Sequence, residues 1–315
     1  MTQTSPAISR RRFLATTAAA TAAACFAPRA LRAQELPAVV IQGRANGAKA
    51  KITTQQLRGN ISALLGAGGN IAVFPGKDGK VLIDSGYSTA RPQLTEALAA
   101  ISPDPITHLI NTHWHFDHTD GNEWMHSAGA TIIAHENCRT RLSTQQEIAA
   151  FKASFPPSPA GAIPTLVFAS DDKTKLNGAT LVLRHYDPAH TDTDISIYFP
   201  EANVLHVGDT WFNGFYPFID YSTGGSINGM IRATERNLAA ATADTLIIPG
   251  HGPIGNKTQL TEFHDMLVGA RDNVAKLKKE GKSLDETIAA KPTAAYDEKW
   301  GKKPEAFIGY VYQGV

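Results

Sequence analysis

Between residues 60 and 84 the apolar positions fall in short runs broken by glycine, "NISALLGAGGNIAVFPGKDGKVLIDSG". Short apolar runs bounded by glycine turns predict strands, at about 60–66, 70–75 and 79–84. "TARPQLTEALAAIS" then repeats its apolar residues at helical intervals. "ITHLINT" returns to strand, "DHTDGNEWMHSAG" opens a helix, and "ATIIAHE" is a further strand. A proline-rich loop, "FPPSPAGAIPTL", marks mid-chain, and "ATLVLRHYD", "DISIYFP" and "NVLHVGD" resume the strands. A helix over about 226–241, the strand "DTLIIPG", and helices at about 257–280 and 283–290 complete the pattern. The aromatic tail "KWGKKPEAFIGYVYQGV" is expected to dock as a short helix. Strands mixed with helices throughout indicate an α/β protein. No linker divides residues 34–315, which read as a single domain of two similar halves.

The first 33 residues stand apart. "SRRRFLATTAAATAAACFAPRALRAQ" carries paired arginines, an alanine-rich apolar stretch and small residues near Ala30 and Ala33. That order predicts a twin-arginine signal peptide over 1–33, cleaved after Ala33, with the export machinery as a partner and the periplasm or exterior as destination. The run Phe13 to Ala27 is too short and weakly apolar for a stable membrane span. Formal charge is +1 overall; residues 1–33 hold five arginines and no acid, so the remainder carries −4. An acidic body lacks the electrostatic footprint of a nucleic-acid binder. The only cysteines are Cys25, in the leader, and Cys138, so the mature chain has no intrachain disulfide. Cys138 is expected to be a small, semi-buried residue without a chemical role.

The candidate chemistry is concentrated in "NTHWHFDHTDGN", where His113, His115, Asp117 and His118 crowd into six positions. Imidazole and carboxylate are ligands for zinc and related divalent ions. In extended chain, alternate residues point the same way, so His113 and His115 can face one ion together. His190 in "DPAHTDTD", Asp209 ending "VLHVGD" and His251 in "PGHG" each follow an apolar strand, where side chains can converge on one rim. The other histidines, His108, His126, His135, His185, His206 and His264, are expected to be surface or satisfied core residues.

The order H-x-H-x-D-H, then His, Asp and His, resembles the metallo-β-lactamase superfamily over most of the chain, from "LIDSG" to "GHG". The resemblance implies a four-layer αβ/βα sandwich of two mixed sheets flanked by helices, with the site on one edge. It implies two Zn²⁺ ions, other divalent metals being possible: His113, His115 and His190 around one, Asp117, His118 and His251 around the other, and Asp209 bridging. It places Asp84 beneath the ligands, where a carboxylate fixes the tautomer of a ligating imidazole. Thr112, Thr191 and Asp194 are candidates for similar support, and Gly250 and Gly252 for a sharp turn around His251.

The implied chemistry is attack by a metal-bridging hydroxide on the carbonyl of a small-molecule ester, lactone, β-lactam or thioester, with Asp117 orienting the nucleophile and shuttling its proton. Two alternatives remain open at this stage: a mononuclear iron dioxygenase of the sulfur-metabolising kind, and a non-catalytic metal-binding or assembly protein. The superfamily's best-known β-lactamases carry cysteine or serine at the position of Asp209, so efficient β-lactam hydrolysis is not expected. After Asp209 comes "TWFNGFYPFIDYSTGGS", whose Trp211, Phe212, Phe215, Tyr216, Phe218 and Tyr221 are candidates either to wall a partly apolar pocket or to pack in the core.

Overall fold

Apolar residues along the strands alternate between two different packing layers, and this alternation builds the architecture. The computed structural model describes residues 36–301 and 304–315; the leader assigned to 1–33 lies outside the described residues. One mixed sheet has the order β1 (Thr53–Gln56), β2 (Ser62–Leu65), β3 (Ile71–Gly76), β4 (Gly79–Ile83), β5 (Ile106–Ile110), β6 (Thr131–His135), β9 (Leu166–Phe168). Its first four strands pair antiparallel and the remainder parallel. The second has the order β10 (Asp172–Leu176), β11 (Ala179–His185), β12 (Ile195–Phe199), β13 (Val204–His206), β14 (Leu246–Ile248), antiparallel except for β13 with β14. A hairpin of β7 (Gln146–Ile148) and β8 (Ala153–Phe155) stands outside both.

In β3, Ala72 and Phe74 point to a central core shared with Leu183, Ile197 and Val204 of the second sheet, while Ile71 and Val73 point outward. In β14, Ile248 faces that central core and Ile247 faces out. A strand buried on both faces needs a cover on each. The outer face of the first sheet is covered by the helix Arg91–Ile101 through Leu94 and Leu98, and by the helix Asn122–Ser127 through Met125. The outer face of the second is covered by the helices Ile227–Ala240, Lys257–Lys279 and Glu305–Gly314 through Met230, Phe263 and Phe307. The result is helix, sheet, sheet, helix, the four-layer αβ/βα sandwich, and residues Leu36–Val315 form one compact unit.

The long helices start where the sequence supplies caps. Ser226 accepts from the Gly229 amide, and Asn256 forms a reciprocal capping box with Gln259. The stretch "DHTDGNEWMHSAG" yields two short helices, Phe116–Thr119 and Asn122–Ser127, instead of one. Among the described residues no helix is long and apolar enough to cross a membrane. Cys138 is fully buried against Trp114 and Leu142, deeper than its sequence suggested, and burial pushes its thiol well up.

Candidate metal centre

Strands β4, β5, β11, β13 and β14 all end at one edge of the sandwich, and the loops leaving them carry the candidate ligands. His113 and His115 lie in the extended segment after β5, and Asp117 and His118 on the turn of helix Phe116–Thr119. His190 follows β11, Asp209 lies in the 3₁₀ turn Gly208–Thr210 after β13, and His251 follows β14. Asn70 clamps the last loop: its side-chain amide donates to the carbonyls of Pro249 and Gly252, at 2.9 Å each. Gly252 has φ +91°, as a sharp turn beside His251 requires. Gly250 is needed for a different reason: a Cβ there would lie 1.9 Å from Asp209 Oδ1, so only glycine lets this backbone approach the carboxylate.

The seven candidate ligands come together as two sets, His113, His115, His190 and Asp209 in one, and Asp117, His118 and His251 in the other. Asp209 faces both. Its Oδ2 lies 3.8 Å from His113 Nε2 and 3.7 Å from His190 Nε2. Its Oδ1 lies 3.1 Å from His118 Nε2 and 3.5 Å from His251 Nε2. Asp117 Oδ2 closes the second set, 3.1 Å from His251 Nε2 and 3.8 Å from His118 Nε2. The residues fit divalent metal on their own chemistry. His113 Nε2 and His190 Nε2 are buried nitrogens without a hydrogen-bond partner, an arrangement that proteins rarely tolerate unless something else satisfies them. A donor set of imidazole and carboxylate with no thiolate suits zinc or a similar borderline cation.

The far nitrogen of four of the five histidines is held by the protein. Asp84 Oδ2 lies 2.7 Å from His118 Nδ1, and the same carboxylate accepts from the Thr112 amide and hydroxyl, both at 2.7 Å. Thr112 Oγ1 lies 3.0 Å from His113 Nδ1. Asp194 Oδ1 lies 3.4 Å from His190 Nδ1, while its other oxygen accepts from the amides of His190 and Thr191. Asp220 Oδ2 lies 3.1 Å from His115 Nε2, which leaves Nδ1 as the ligand atom of that ring. Such outer partners fix tautomer and orientation. Asp220 was not foreseen: its sequence, "IDYSTG", carries only an Asx-turn signal, and nothing local shows that the turn faces His115.

The electrostatics differ from ligand to ligand: at His190 burial is outweighed by Asp194 and Asp209, and the imidazole is raised. Burial pushes the His113 imidazole well below its usual value, helped by the neighbouring His118. Burial has the same tendency at His118, but Asp209, Asp117 and Asp84 override it and carry that imidazole well above the usual range. At His251 burial is likewise outweighed, by Asp209 and Asp117, and the value rises to about 9. Burial opposes ionisation of Asp117, yet His118 and His251 hold it down to about 2. Around the second set, then, protons hold the place of a cation at neutral pH. Loading metal there must release them, so affinity for that metal rises with pH and weakens as pH falls below about 9. Calorimetric titration at pH 7 in two buffers of different ionisation enthalpy should show net proton release, reduced in His118→Ala. Loading without proton release contradicts this assignment.

The description "Metallo-beta-lactamase superfamily" matches residues 66–251, more than half of the chain. The chain belongs to the metallo-β-lactamase superfamily. Within it, the chain is 32% identical over 170 residues to a hydroxyacylglutathione hydrolase of Polaromonas sp. (strain JS666), covering 53% of this chain and 56% of that protein. A second hydroxyacylglutathione hydrolase, from Rhodospirillum rubrum, is 29% identical over 171 residues, 51% of this chain and 55% of that protein. The chain thus spans little more than half the length of these curated relatives. Among solved structures, a metallo-β-lactamase from Pontibacter korlensis superposes with TM-score 0.55 at 19% identity, covering 69% of this chain and 99% of that one. The sec-alkylsulfatase Pisa1 from Pseudomonas sp. gives TM-score 0.62 at 18% identity over 90% of this chain and 53% of that one. Both likenesses show the shared metallo-β-lactamase fold.

Over the candidate metal centre lies a cavity of about 310 Å³, lined by His115, Asp117, Asp209 and His251 and walled by aromatic and aliphatic side chains. The aromatic run after Asp209 divides between this cavity and the core. Phe212 and Phe218 line the cavity, and Phe212 stacks on the His251 ring with centroids 5.2 Å apart. The other four of the six candidates, Trp211, Phe215, Tyr216 and Tyr221, do not line it. Trp211 is extended (φ −147°, ψ 127°), so it and Phe212 point to opposite sides, and Trp211 is fully buried in the helix-covered core. Phe215 is 52% exposed on the surface. Tyr216 stacks on Phe307 at 4.6 Å and donates to Asp297 Oδ1 at 2.7 Å. Tyr221 packs beside the helix Ile227–Ala240, its hydroxyl accepting from the Ile227 amide. Of the cavity's other walls, Phe116 lies within the histidine motif itself, while Tyr87, Ile148, Phe151 and Tyr310 come from segments that carried no motif.

The six remaining histidines lie outside both ligand sets. His206, fully buried, is satisfied by the Asn70 carbonyl and the Gly208 amide. His135 and His185 stack on each other, ring centroids 3.6 Å apart.

Proposed function

We propose that this protein is an exported hydrolase, dependent on two divalent metal ions, zinc by preference, that cleaves a carbonyl ester, lactone or thioester of a small molecule. The observation that carries this reading is Asp209, whose two oxygens face two separate and complete ligand sets. Divalent ions so held supply Lewis acidity and lower the pKa of water. The protein's own residues do the rest. His113, His115 and His190 present imidazoles already oriented by Thr112, Asp220 and Asp194. Asp117, held ionised by its histidine neighbours and partly exposed to the cavity, accepts a hydrogen bond from the attacking water at Oδ1, the oxygen not turned to His251 and His118, and takes its proton. The water oxygen bonds to the carbonyl carbon, the bond to the leaving oxygen or sulfur breaks, and the proton passes from Asp117 to the leaving group. The hydroxyacylglutathione hydrolases among the relatives support a thioester or ester.

A phosphodiester is disfavoured. Between Trp211 and Ile231 there is no lysine or arginine, and among the described residues none lines the cavity. Phosphate recognition ordinarily uses such cations. The test is kcat/KM for an ester, a lactone, a thioester, a chromogenic β-lactam and a phosphodiester on one zinc-loaded preparation, with and without chelator. Carbonyl substrates should be fastest and chelator-sensitive; a phosphodiester faster by tenfold would overturn the assignment. One iron per chain together with oxygen uptake would replace the hydrolase by an iron dioxygenase.

Export is the second part of the reading and rests on the leader sequence. Replacing Arg10 and Arg11 by lysine should hold the precursor in the cytoplasm, measured by fractionation. Unchanged periplasmic appearance would remove the twin-arginine route from the account.

A further inference from the structure

The cavity over the metal centre has metal-ligating polar groups at one end and an apolar wall at the other. Phe218 is the hinge between them. Its ring centroid lies 5.8 Å from that of His115 and 5.9 Å from that of His190, so it sits directly against two candidate ligands. On its other sides it stacks on Phe151 at 4.9 Å and meets Tyr310 edge-on at 5.4 Å. Phe151 and Ile148, from the hairpin β7–β8 and its turn, carry the wall to the mouth. Phe151 remains 38% exposed there, a large apolar ring left in water at the entrance to a reactive centre. Among the described residues no lysine or arginine lines the cavity. Arg44, in the adjoining groove, is committed to Asp120 through a 2.6 Å contact, and Lys152 is exposed next to Phe151 without lining the cavity.

We infer that this cavity selects the group attached to the scissile carbonyl for being uncharged and apolar, an alkyl chain of about hexanoyl length or an aryl ring, and rejects acyl groups carrying a carboxylate at the far end. The inference rests on the hydrolase reading above and deepens it. A methylene laid along Phe151, Phe218 and Ile148 leaves water for an apolar wall and gains about threefold to fourfold in binding. A carboxylate in the same place leaves water with no cation to receive it, a cost that ordinarily excludes it. Esters and thioesters whose acyl group ends in a carboxylate should therefore be poor substrates, whatever the leaving group.

The test uses the metal-loaded full-length protein and matched substrates: 4-nitrophenyl acetate, butanoate and hexanoate, and the mono-4-nitrophenyl ester of adipate, which equals the hexanoate in length but ends in a carboxylate. We expect kcat/KM to rise about threefold per methylene to hexanoate, and hexanoate to exceed adipate by at least about tenfold. Phe151→Arg should raise the adipate-to-hexanoate ratio by about tenfold, because it supplies the missing cation at the mouth. Chelator-sensitive hydrolysis with adipate equal to or faster than hexanoate would overturn this inference and leave the hydrolase standing. If no ester is cleaved in a chelator-sensitive way, the hydrolase reading fails, and binding decides the cavity separately. Calorimetry with 2-heptanone and 6-oxoheptanoate should then show the neutral ketone bound at least about tenfold more tightly, and equal or reversed affinities would overturn the selection.

Discussion

Asp209→Asn is expected to lower kcat/KM by at least about a thousandfold while leaving the fold intact. The bridging position explains the size of the effect. Asp209 Oδ2 serves the His113 and His190 side and Oδ1 the His118 and His251 side, so a single neutral amide weakens both metal positions at once. The Lewis-acid contribution of bound metal is worth several kcal/mol, and each ~1.4 kcal/mol is tenfold in rate. Asp209 is not a packing residue: it stands in a 3₁₀ turn beyond β13, against polar neighbours. Gly250→Ala is the companion experiment: a Cβ there would lie 1.9 Å from Asp209 Oδ1 and 2.7–2.8 Å from the backbone of Gly208 and Asp209, so it must displace both the carboxylate and its turn. Both variants should lose metal and turnover together, with a far smaller change in melting temperature for Asp209→Asn and a clear drop for Gly250→Ala, measured on the same preparations. Full activity in Asp209→Asn after loss of one metal would refute a dinuclear mechanism.

Asp84→Ala is expected to combine a large loss of stability with a loss of metal affinity. Asp84 is fully buried, with a left-handed φ of +66° that a non-glycine residue adopts only when its surroundings require it. Those surroundings are the Thr112 amide and hydroxyl and His118 Nδ1, all at 2.7 Å. The same turn is tied to the ligand helix through Ser85, whose amide and hydroxyl both donate to the His118 carbonyl. Removing one partner of a buried charge network costs about 3–5 kcal/mol. Removing the outer partner of a ligating imidazole costs about 10–100-fold in metal affinity. Asp84→Asn keeps the shape and tolerates the same backbone, so it should recover much of the melting temperature while still binding metal more weakly at the second set. If both variants bind metal as the parent does, Asp84 does not position His118.

The ligands were legible in sequence because each stands at a strand end inside a motif of fixed order, and short apolar strands announce their ends with glycine and proline. The central strands were legible for the same reason: β3 through β6 are apolar runs bounded by turn residues. What surrounds the centre was less legible. Asp220 reaches His115 across 105 positions of sequence, and no local pattern encodes that approach. The helix Ala38–Gly47 and the hairpin β7–β8 lack a clean apolar period, because each presents only a few side chains to the body. Yet Val39, Ile148 and Phe151 from these elements wall the cavity. The aromatic run misled because composition does not say which side of an extended chain a ring occupies. Trp211 and Phe212 are adjacent and both buried, but only Phe212 reaches the cavity, where it covers His251.

The claim on which the rest depends is that two cations sit on either side of Asp209. Anomalous diffraction from crystals of the zinc-loaded protein, collected above and below the metal edge, tests it without reference to any substrate. Two peaks are predicted, roughly 3.5–4 Å apart as in other two-metal sites. One should lie against His113, His115 and His190, the other against Asp117, His118 and His251, each in contact with one oxygen of Asp209. A single peak under saturating zinc, with Asp117, His118 and His251 bonded only to one another, would contradict the account.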